Sequence, residues 1–505
     1  MNDSFYVCFY KGRDGDRIGH GVSSKNEFPK KLSITIDQDN GKSDKKFGEI
    51  FKEFCDSMNG YMDMMPLLAG IGSAITYNIR ESELVRFCEE NSLSRLSDGN
   101  REIFEIPLSR VGDFNSIDLR HRGGQLVSKQ IPKMLLMGVV SSLDHHIAQL
   151  MREVVRRNPA MLSSSEKNVS IQDVFLADSI DEFKEILIER EIESATRESF
   201  EDQIGWFERK IPIKESIKMQ YDLWDELIEV IERRNLFAHA NGIANTRYIK
   251  KTSRGERSNK ISVGHELFAS SKYFSSSLDN ICEFGVKICQ VIWRKIDEDD
   301  SAQADKQLGD FGFNLIERGE YKLACRILEF SLNLRGKRDE ARRRVNIVNL
   351  ANAYKLSGSE EKSLKLLDGE DWEIVSDEFA VSVAAVRGDV DRVGYYMARM
   401  AQSGDWTGEE LEQWPVFYHV RDDARFIKAF EEAYKRKYSP APRSRNRILE
   451  NFYKASKSKK GLTKTGKQLE VVIEAEREPL PASLRTQEKQ RKKATRARKI
   501  REVIS

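Results

Sequence analysis

From residue 127 onward, apolar side chains recur at three- and four-residue steps. Ile131, Leu135, Val139, Leu143, Ile147, Leu150 and Val154 form the first such series, the spacing that lines one face of an α-helix. Asn158-Pro159 ends it, because a proline turns the residue before it away from helix. The same periodicity predicts helices over 179–209, 214–238 and 270–296. In 214–238 the stripe is Ile217, Tyr221, Trp224, Leu227, Ile228 and Ile231. In 270–296 it is Phe274, Leu278, Ile281, Gly285, Ile288 and Ile292. Four amphipathic helices in succession predict an antiparallel bundle over 126–298.

The pattern before residue 126 is mixed. Phe5–Tyr10 and Leu32–Ile36 read as short strands, rich in β-branched and aromatic residues. The glycines of 12–19 predict a turn between them, Phe47–Met58 a helix, and Ile103–Ile106 another strand. Residues 1–125 are therefore expected to form a small α+β domain, with no assigned role. After the bundle, Asp297–Asp300 reads as an acidic linker. Gly312, Leu315, Gly319, Tyr321, Ala324 and Leu328 then have a spacing similar to that of a tetratricopeptide repeat. Ala351, Tyr354, Gly358, Ser363 and Leu367 repeat it about 39 residues later, and a poorer copy surrounds Gly388. Small residues let two helices approach, and a glycine serves the turn between them. The expected fold class is mainly α: the α+β domain, the bundle, helical-repeat hairpins over 301–438, and a tail over 439–505. Trp414-Pro415-Val416-Phe417 is expected to pack in the core at a helix start.

Composition changes this picture in one place. The 505 residues carry a formal net charge of +2, but 439–505 holds 19 Lys/Arg against 7 Asp/Glu, a net of +12 that leaves −10 on the rest. A basic tail on a mildly acidic body suits an acidic partner such as RNA, or no dedicated partner at all. The six cysteines form no CxxC pair, so neither a structural zinc site nor a disulfide framework is expected. Met1-Asn2-Asp3-Ser4-Phe5-Tyr6 lacks the basic start and apolar run of a signal peptide. No run of about 18 apolar residues is present to span a membrane. A cytoplasmic protein is expected, with no membrane partner.

The chemistry concentrates at the end of the third predicted bundle helix, Glu232-Arg233-Arg234-Asn235-Leu236-Phe237-Ala238-His239-Ala240-Asn241-Gly242. Four residues separate Arg234 from His239, a polar Asn235 follows the arginine, and Asn241-Gly242 is a strong helix stop. Spacing alone does not single this pair out, since Arg13 and His20 are six residues apart with Asp14 after the arginine. Gly15 and Gly19 interrupt that second pair, so no helix is expected there. Asp14 and Asp16 around Gly15 have no supporting acidic cluster, and no phosphate-loop pattern is present. His145-His146 point in different directions on a helix and make a poor metal pair. His121, in the basic segment 120–124, is expected in a linker.

The arginine, four intervening residues and histidine at the end of a bundle helix resemble the signature of the HEPN family. The likeness covers roughly 127–296. It implies a metal-independent endoribonuclease that needs no cofactor, working as a homodimer with two motifs lining one cleft, and often serving in toxin or antiviral defence systems. The residue types suit that chemistry. RNA carries its own nucleophile, the 2′-hydroxyl. A histidine can take its proton or protonate the leaving oxygen, and an arginine can hold the phosphate. His239 is expected as general acid/base, Arg234 as phosphate clamp and Asn235 as orienting residue. Arg233 is a second cation for substrate, or else faces solvent or pairs with Glu229 at i−4. Because residues five apart on a regular helix point about 140° apart, His239 is expected to swing back through fraying near Ala238, or to meet a second subunit. The repeat and N-terminal regions would sense a trigger or a regulatory protein. The competing expectation is a non-catalytic scaffold that binds RNA or protein through its repeats and basic tail.

Overall fold

A computed structural model of the protein describes residues 5–11, 17–24, 46–78, 84–98, 101–162, 179–213, 215–253, 261–334, 339–404 and 406–439. The fold is mainly α-helical. Contacts divide the chain into two compact units, Met1–Lys46 and Phe47–Ser505. In the first, β1 (Phe5–Lys11) pairs antiparallel with β2 (Arg17–Ser24), setting Val7 opposite Val22 and Phe9 opposite His20. His20 thus stands on a strand. Arg13, Asp14, Asp16 and the expected strand Leu32–Ile36 lie outside the described residues.

The second unit opens with α1 (Phe47–Asn78). Its Phe47, Ile50, Phe51, Phe54, Cys55 and Met58 are all buried, the i, i+3, i+4 stripe of an amphipathic helix. Then follow α2 (Leu84–Asn91) and a two-stranded hairpin, β3 (Ser94–Asp98) with β4 (Arg101–Glu105). The long α3 (Val111–Arg157) comes next. It ends at Asn158 as the proline signal predicts, but starts well before residue 127. Residues 120–124, expected as a linker around His121, are helical.

Two of the expected helices are each divided in two. Residues 179–209 divide into α4 (Ile180–Thr196) and α5 (Phe200–Lys210), because Ser199 caps a new helix, its side chain accepting from the Asp202 amide. Residues 214–238 divide into a single turn, α6 (Ile217–Gln220), and α7 (Trp224–His239). The break falls at Tyr221, whose extended backbone lets its hydroxyl donate to the Asn280 side chain at 2.6 Å. After α7 come α8 (Thr246–Thr252) and α9 (Ser271–Ile296).

Helix α3 is the axis of this half. It packs against α1, α4, α7 and α9, and α1 also packs on α9. Its Leu136, Val139, Val140, Leu143, Ile147, Leu150, Met151, Val154 and Val155 are buried. Helix α1, expected in a separate α+β domain, is therefore part of the same core as the expected bundle. The division at residue 125 does not appear as a break in packing.

Asp297–Asp300 is likewise a tight turn rather than a spacer. Arg157 of α3 donates to Asp297 at 2.5 Å, and the Trp293 indole donates to Asp300 at 3.1 Å. The core continues from Trp293 into α10 (Ser301–Glu317) and α11 (Tyr321–Asn333). Next come α12 (Glu340–Leu356) with α13 (Glu360–Asp368), and α14 (Asp377–Arg387) with α15 (Val390–Ser403). The short α16 (Gly408–Gln413) and α17 (Ala424–Tyr434) close the described chain. Each of the three helix pairs turns on a glycine with positive φ: Gly319 at 82°, Gly358 at 91° and Gly388 at 82°. Trp414 stacks on Trp406 at 4.6 Å beside the second core, near the start of a short 3-10 turn.

Gly312 marks the close approach within the first pair. A Cβ there would lie 2.5 Å from Leu328 Cδ2. Gly312→Val is expected to destabilise the fold by about 1–3 kcal/mol through overpacking, visible as a lower urea midpoint. An unchanged midpoint would show that α10 and α11 separate without cost. No helix among the described residues is long and apolar enough to cross a membrane.

Candidate active site

The candidate site stands on the last two turns of α7. Leu227, Ile228, Val230, Ile231, Leu236 and Phe237 are buried and fix that helix against its neighbours. The helix remains regular through His239. Its end is then secured by backbone bonds: the amides of Ala240 and Gly242 both donate to the Leu236 carbonyl, at 2.8 and 3.0 Å. Asn241 and Gly242 take positive φ, 49° and 85°. A Cβ on Gly242 would meet the Leu267 carbonyl at 2.9 Å, so glycine is needed there for close approach as well as for its φ. The Leu267 amide donates to Gly242 O at 2.8 Å and the Ala244 amide to His265 O at 2.9 Å, pinning 242–244 to 264–267. Buried Lys133 of α3 donates to the Asn241 carbonyl at 3.3 Å and sits over the Phe237 ring at 5.5 Å.

The two arginines have separate fates. Arg233 is buried. Its Nε donates to Glu229 at 2.7 Å, one Nη donates to the Phe268 carbonyl at 3.1 Å, and the guanidinium lies 3.9 Å from the Tyr273 ring centre. Glu229 also accepts from the Tyr248 hydroxyl at 2.6 Å and the Tyr273 hydroxyl at 2.8 Å. The expected i−4 partner of Arg233 is therefore present. The expected substrate contact is not: with 8% of its side chain exposed, Arg233 is committed to tying α7 to α8, α9 and the 268 segment. Burial and the Glu229 charge push both tyrosine hydroxyls above their ordinary range, keeping them protonated as donors.

Arg234, one residue on, is turned by about 100° and is half-buried. Its Nη2 donates to Asp144 of α3 at 2.7 Å, with 24% and 37% of the two side chains exposed. Its Nε is buried, with no hydrogen-bond partner among the described residues. The guanidinium thus has one carboxylate partner and an unmet donor, which costs free energy. Burial pushes the Asp144 carboxyl above the usual carboxylate range, against the opposing pull of Arg234.

Asn235 is half-buried and His239 is exposed on the last turn. Because α7 does not fray at Ala238, Arg234 and His239 leave the helix about 140° apart. One chain does not bring them together through a bent helix end. Exposed Arg247 and Lys250 on α8 add positive charge on the segment that follows the motif.

His146 is a core residue. Its ring stacks on Phe54 at 4.1 Å, its Nε2 lies 3.1 Å from the Gly285 carbonyl, and burial lowers its pKa to about 3. His145 is exposed beside Gln149, at 3.1 Å. Among the described residues no group of three or more His, Cys, Asp or Glu side chains is placed to hold a metal ion. Sequence reading missed Asp144 and Lys133. Both fall between the apolar stripe positions of α3, where a charge is ordinary, so nothing local marks them. No family model, curated protein or solved structure matches this chain.

Proposed function

We propose that this protein is a metal-independent endoribonuclease of HEPN type, working as a homodimer through its helical bundle. The observation that carries the reading is the pairing, on one capped helix end, of a half-buried Arg234 and an exposed His239. The partly exposed guanidinium of Arg234 can hold a phosphate through its Nη groups. A histidine on the outer turn is free to reach a 2′-hydroxyl held by a second copy. The imidazole of His239 takes the 2′-hydroxyl proton, and the 2′-oxygen attacks phosphorus. The bond to the 5′-oxygen breaks, and an imidazolium of the paired motif returns a proton to that oxygen. Products are a 2′,3′-cyclic phosphate and a 5′-hydroxyl. Arg234 stabilises the charge on the phosphoryl oxygens, and Asn235 orients phosphate or histidine.

The three glycine-turned helix pairs support a tetratricopeptide-like regulatory region, which would take a trigger or a restraining protein. A free cytoplasmic ribonuclease is toxic, so this reading makes the protein a controlled toxin or an antiviral defence effector. The observation that favours a non-catalytic scaffold instead is the ion pair between Arg234 and Asp144. On that reading Arg234→Ala leaves function intact and deletion of 439–505 removes it.

On the nuclease reading, Asp144 is the carboxylate that a phosphate must displace or share. Asp144→Asn is expected to tighten binding of a 2′-deoxy, uncleavable RNA analogue about fivefold, the worth of a partly exposed ion pair of about 1 kcal/mol. Fluorescence anisotropy at fixed salt measures it. Weaker binding would mean that Asp144 holds Arg234 in place for the phosphate rather than competing with it.

A further inference from the structure

The seam between α3 and α7 runs on past the motif. On α3, Asp144 and Lys133 are eleven residues apart, a step that returns to within about 20° of the same face and spans about 16 Å along the axis. At one end Asp144 meets Arg234 of α7. At the other, Lys133 meets the turn that follows the motif, donating to the Asn241 carbonyl at 3.3 Å. Its ammonium lies 5.5 Å from the Phe237 ring centre and 5.8 Å from that of Phe268. Only 5% of the Lys133 side chain is exposed, and its counter-ion is Glu266 at 3.7 Å.

Phe268 is the exception to the burial around it. Leu267 and Ala269 on either side are buried, whereas Phe268 is 50% exposed. Its backbone holds the ring outward: the Leu267 amide donates to Gly242 O at 2.8 Å, and the Phe268 carbonyl accepts from Arg233 at 3.1 Å. The Lys133 ammonium lies against the ring, and no second ring covers it among the described residues. A pinned aromatic ring with an open face is what an unpaired base stacks on. Helix α8, which follows the motif, adds exposed Arg247 and Lys250, so the charge on this part of the chain suits a polyanion.

We infer that Phe268 is the platform on which one unpaired base of the RNA stacks, while Arg234 holds a phosphate about three turns of α3 away. This rests on the nuclease reading for the phosphate at Arg234 and adds to it a positioning residue for the strand. Every base has a π-face, so the platform accepts any base sequence. It selects single strands over duplex, whose bases are already stacked on one another. The stack needs no 2′-hydroxyl. A deoxy single strand therefore binds Phe268 as RNA does, and the 2′-hydroxyl enters only at cleavage.

Fluorescence anisotropy of the full chain with a labelled all-deoxy single strand reads this contact apart from cleavage. Phe268→Ala is expected to weaken binding about tenfold or more, and Phe268→Trp to stay within about twofold of the wild type. Phe268→Leu keeps an apolar side chain without a ring face and is expected to lose as much as Phe268→Ala. A stacked ring touches no phosphate, so Phe268→Ala should leave the slope of log Kd against log salt unchanged, whereas Arg234→Ala should reduce it by about one. The ring is exposed, so melting temperatures should match, and the Leu and Trp variants keep the comparison intact if the Ala variant misfolds. Wild-type affinity in folded Phe268→Ala or Phe268→Leu would overturn the inference, as would no single-strand binding by the wild type at about 1 mM. Exposed Ile243 widens the apolar surface on the neighbouring segment. A fall from dimer to monomer in Phe268→Ala, read by sedimentation, would give the ring to a subunit contact and also overturn it. A strand bound through Phe268 but, as RNA, never cut would remove the nuclease reading and leave this inference standing.

Discussion

His239→Ala is expected to abolish RNA cleavage, lowering the rate by about 10²–10⁴-fold, the contribution of a positioned general acid or base. His239 is exposed on the last turn of α7, so its removal leaves no cavity and no unpaired buried group. Loss of activity would therefore report on chemistry rather than folding, provided the melting temperature is unchanged. Arg234→Ala should lose comparable activity through the phosphate, and it also strands Asp144, whose partner it is at 2.7 Å. The two variants differ in binding. His239→Ala should hold an uncleavable RNA analogue as the wild type does, and Arg234→Ala should hold it less tightly. Cells expressing the wild type should stop growing, while those expressing His239→Ala should grow. Continued cutting by folded His239→Ala would remove this histidine from the mechanism.

Glu229→Ala is expected to have the largest effect on stability. The carboxylate accepts from Arg233 at 2.7 Å, Tyr248 at 2.6 Å and Tyr273 at 2.8 Å, and all of these groups are buried or largely so. Removing it takes the counter-charge from the guanidinium and this acceptor from the Tyr248 and Tyr273 hydroxyls. Breaking a buried pair from one side costs about 3–5 kcal/mol. Urea unfolding followed by tryptophan fluorescence measures the loss. Glu229→Gln with Arg233→Met removes both charges together while leaving an amide oxygen for the tyrosines, and should recover most of the stability. Equal losses in the single and double variants would mean that the charge pair is not what holds α7 to α8 and α9. Because the motif stands on this helix end, Glu229→Ala should also lower cleavage, whereas the double variant should restore it.

These two residues show where sequence reading reached the site and where it stopped. The i−4 relation of Glu229 and Arg233 is a local fact, legible in the chain. Which of two adjacent arginines turns inward is not, since they differ by about 100° on the helix and the choice rests on Tyr248, Tyr273 and Phe268. Asn241-Gly242 and Asn158-Pro159 are strong local stops, and both helices end there. Gly319, Gly358 and Gly388 announce their turns because only a positive φ closes them. Helix α1 was assigned to another domain because its partners in α3 and α9 are remote in sequence, and periodicity is silent about which faces meet. The early start of α3 is hidden by Gly123 and Gly124, in a segment that reads as a linker. The break before α5 was legible in retrospect, as Ser199 followed by Glu201 and Asp202 is a helix start. Asp144 was missed for the same reason as α1: its meaning comes from Arg234, 90 residues away.

The proposed chemistry is read most directly from the ends of the cut RNA. Purified full chain, incubated with single-stranded RNA in EDTA, should produce 2′,3′-cyclic phosphate and 5′-hydroxyl ends and leave the all-deoxy strand whole. RNA left uncut under those conditions, or ends carrying a 3′-hydroxyl and 5′-phosphate, would contradict attack by the 2′-hydroxyl at Arg234 and His239.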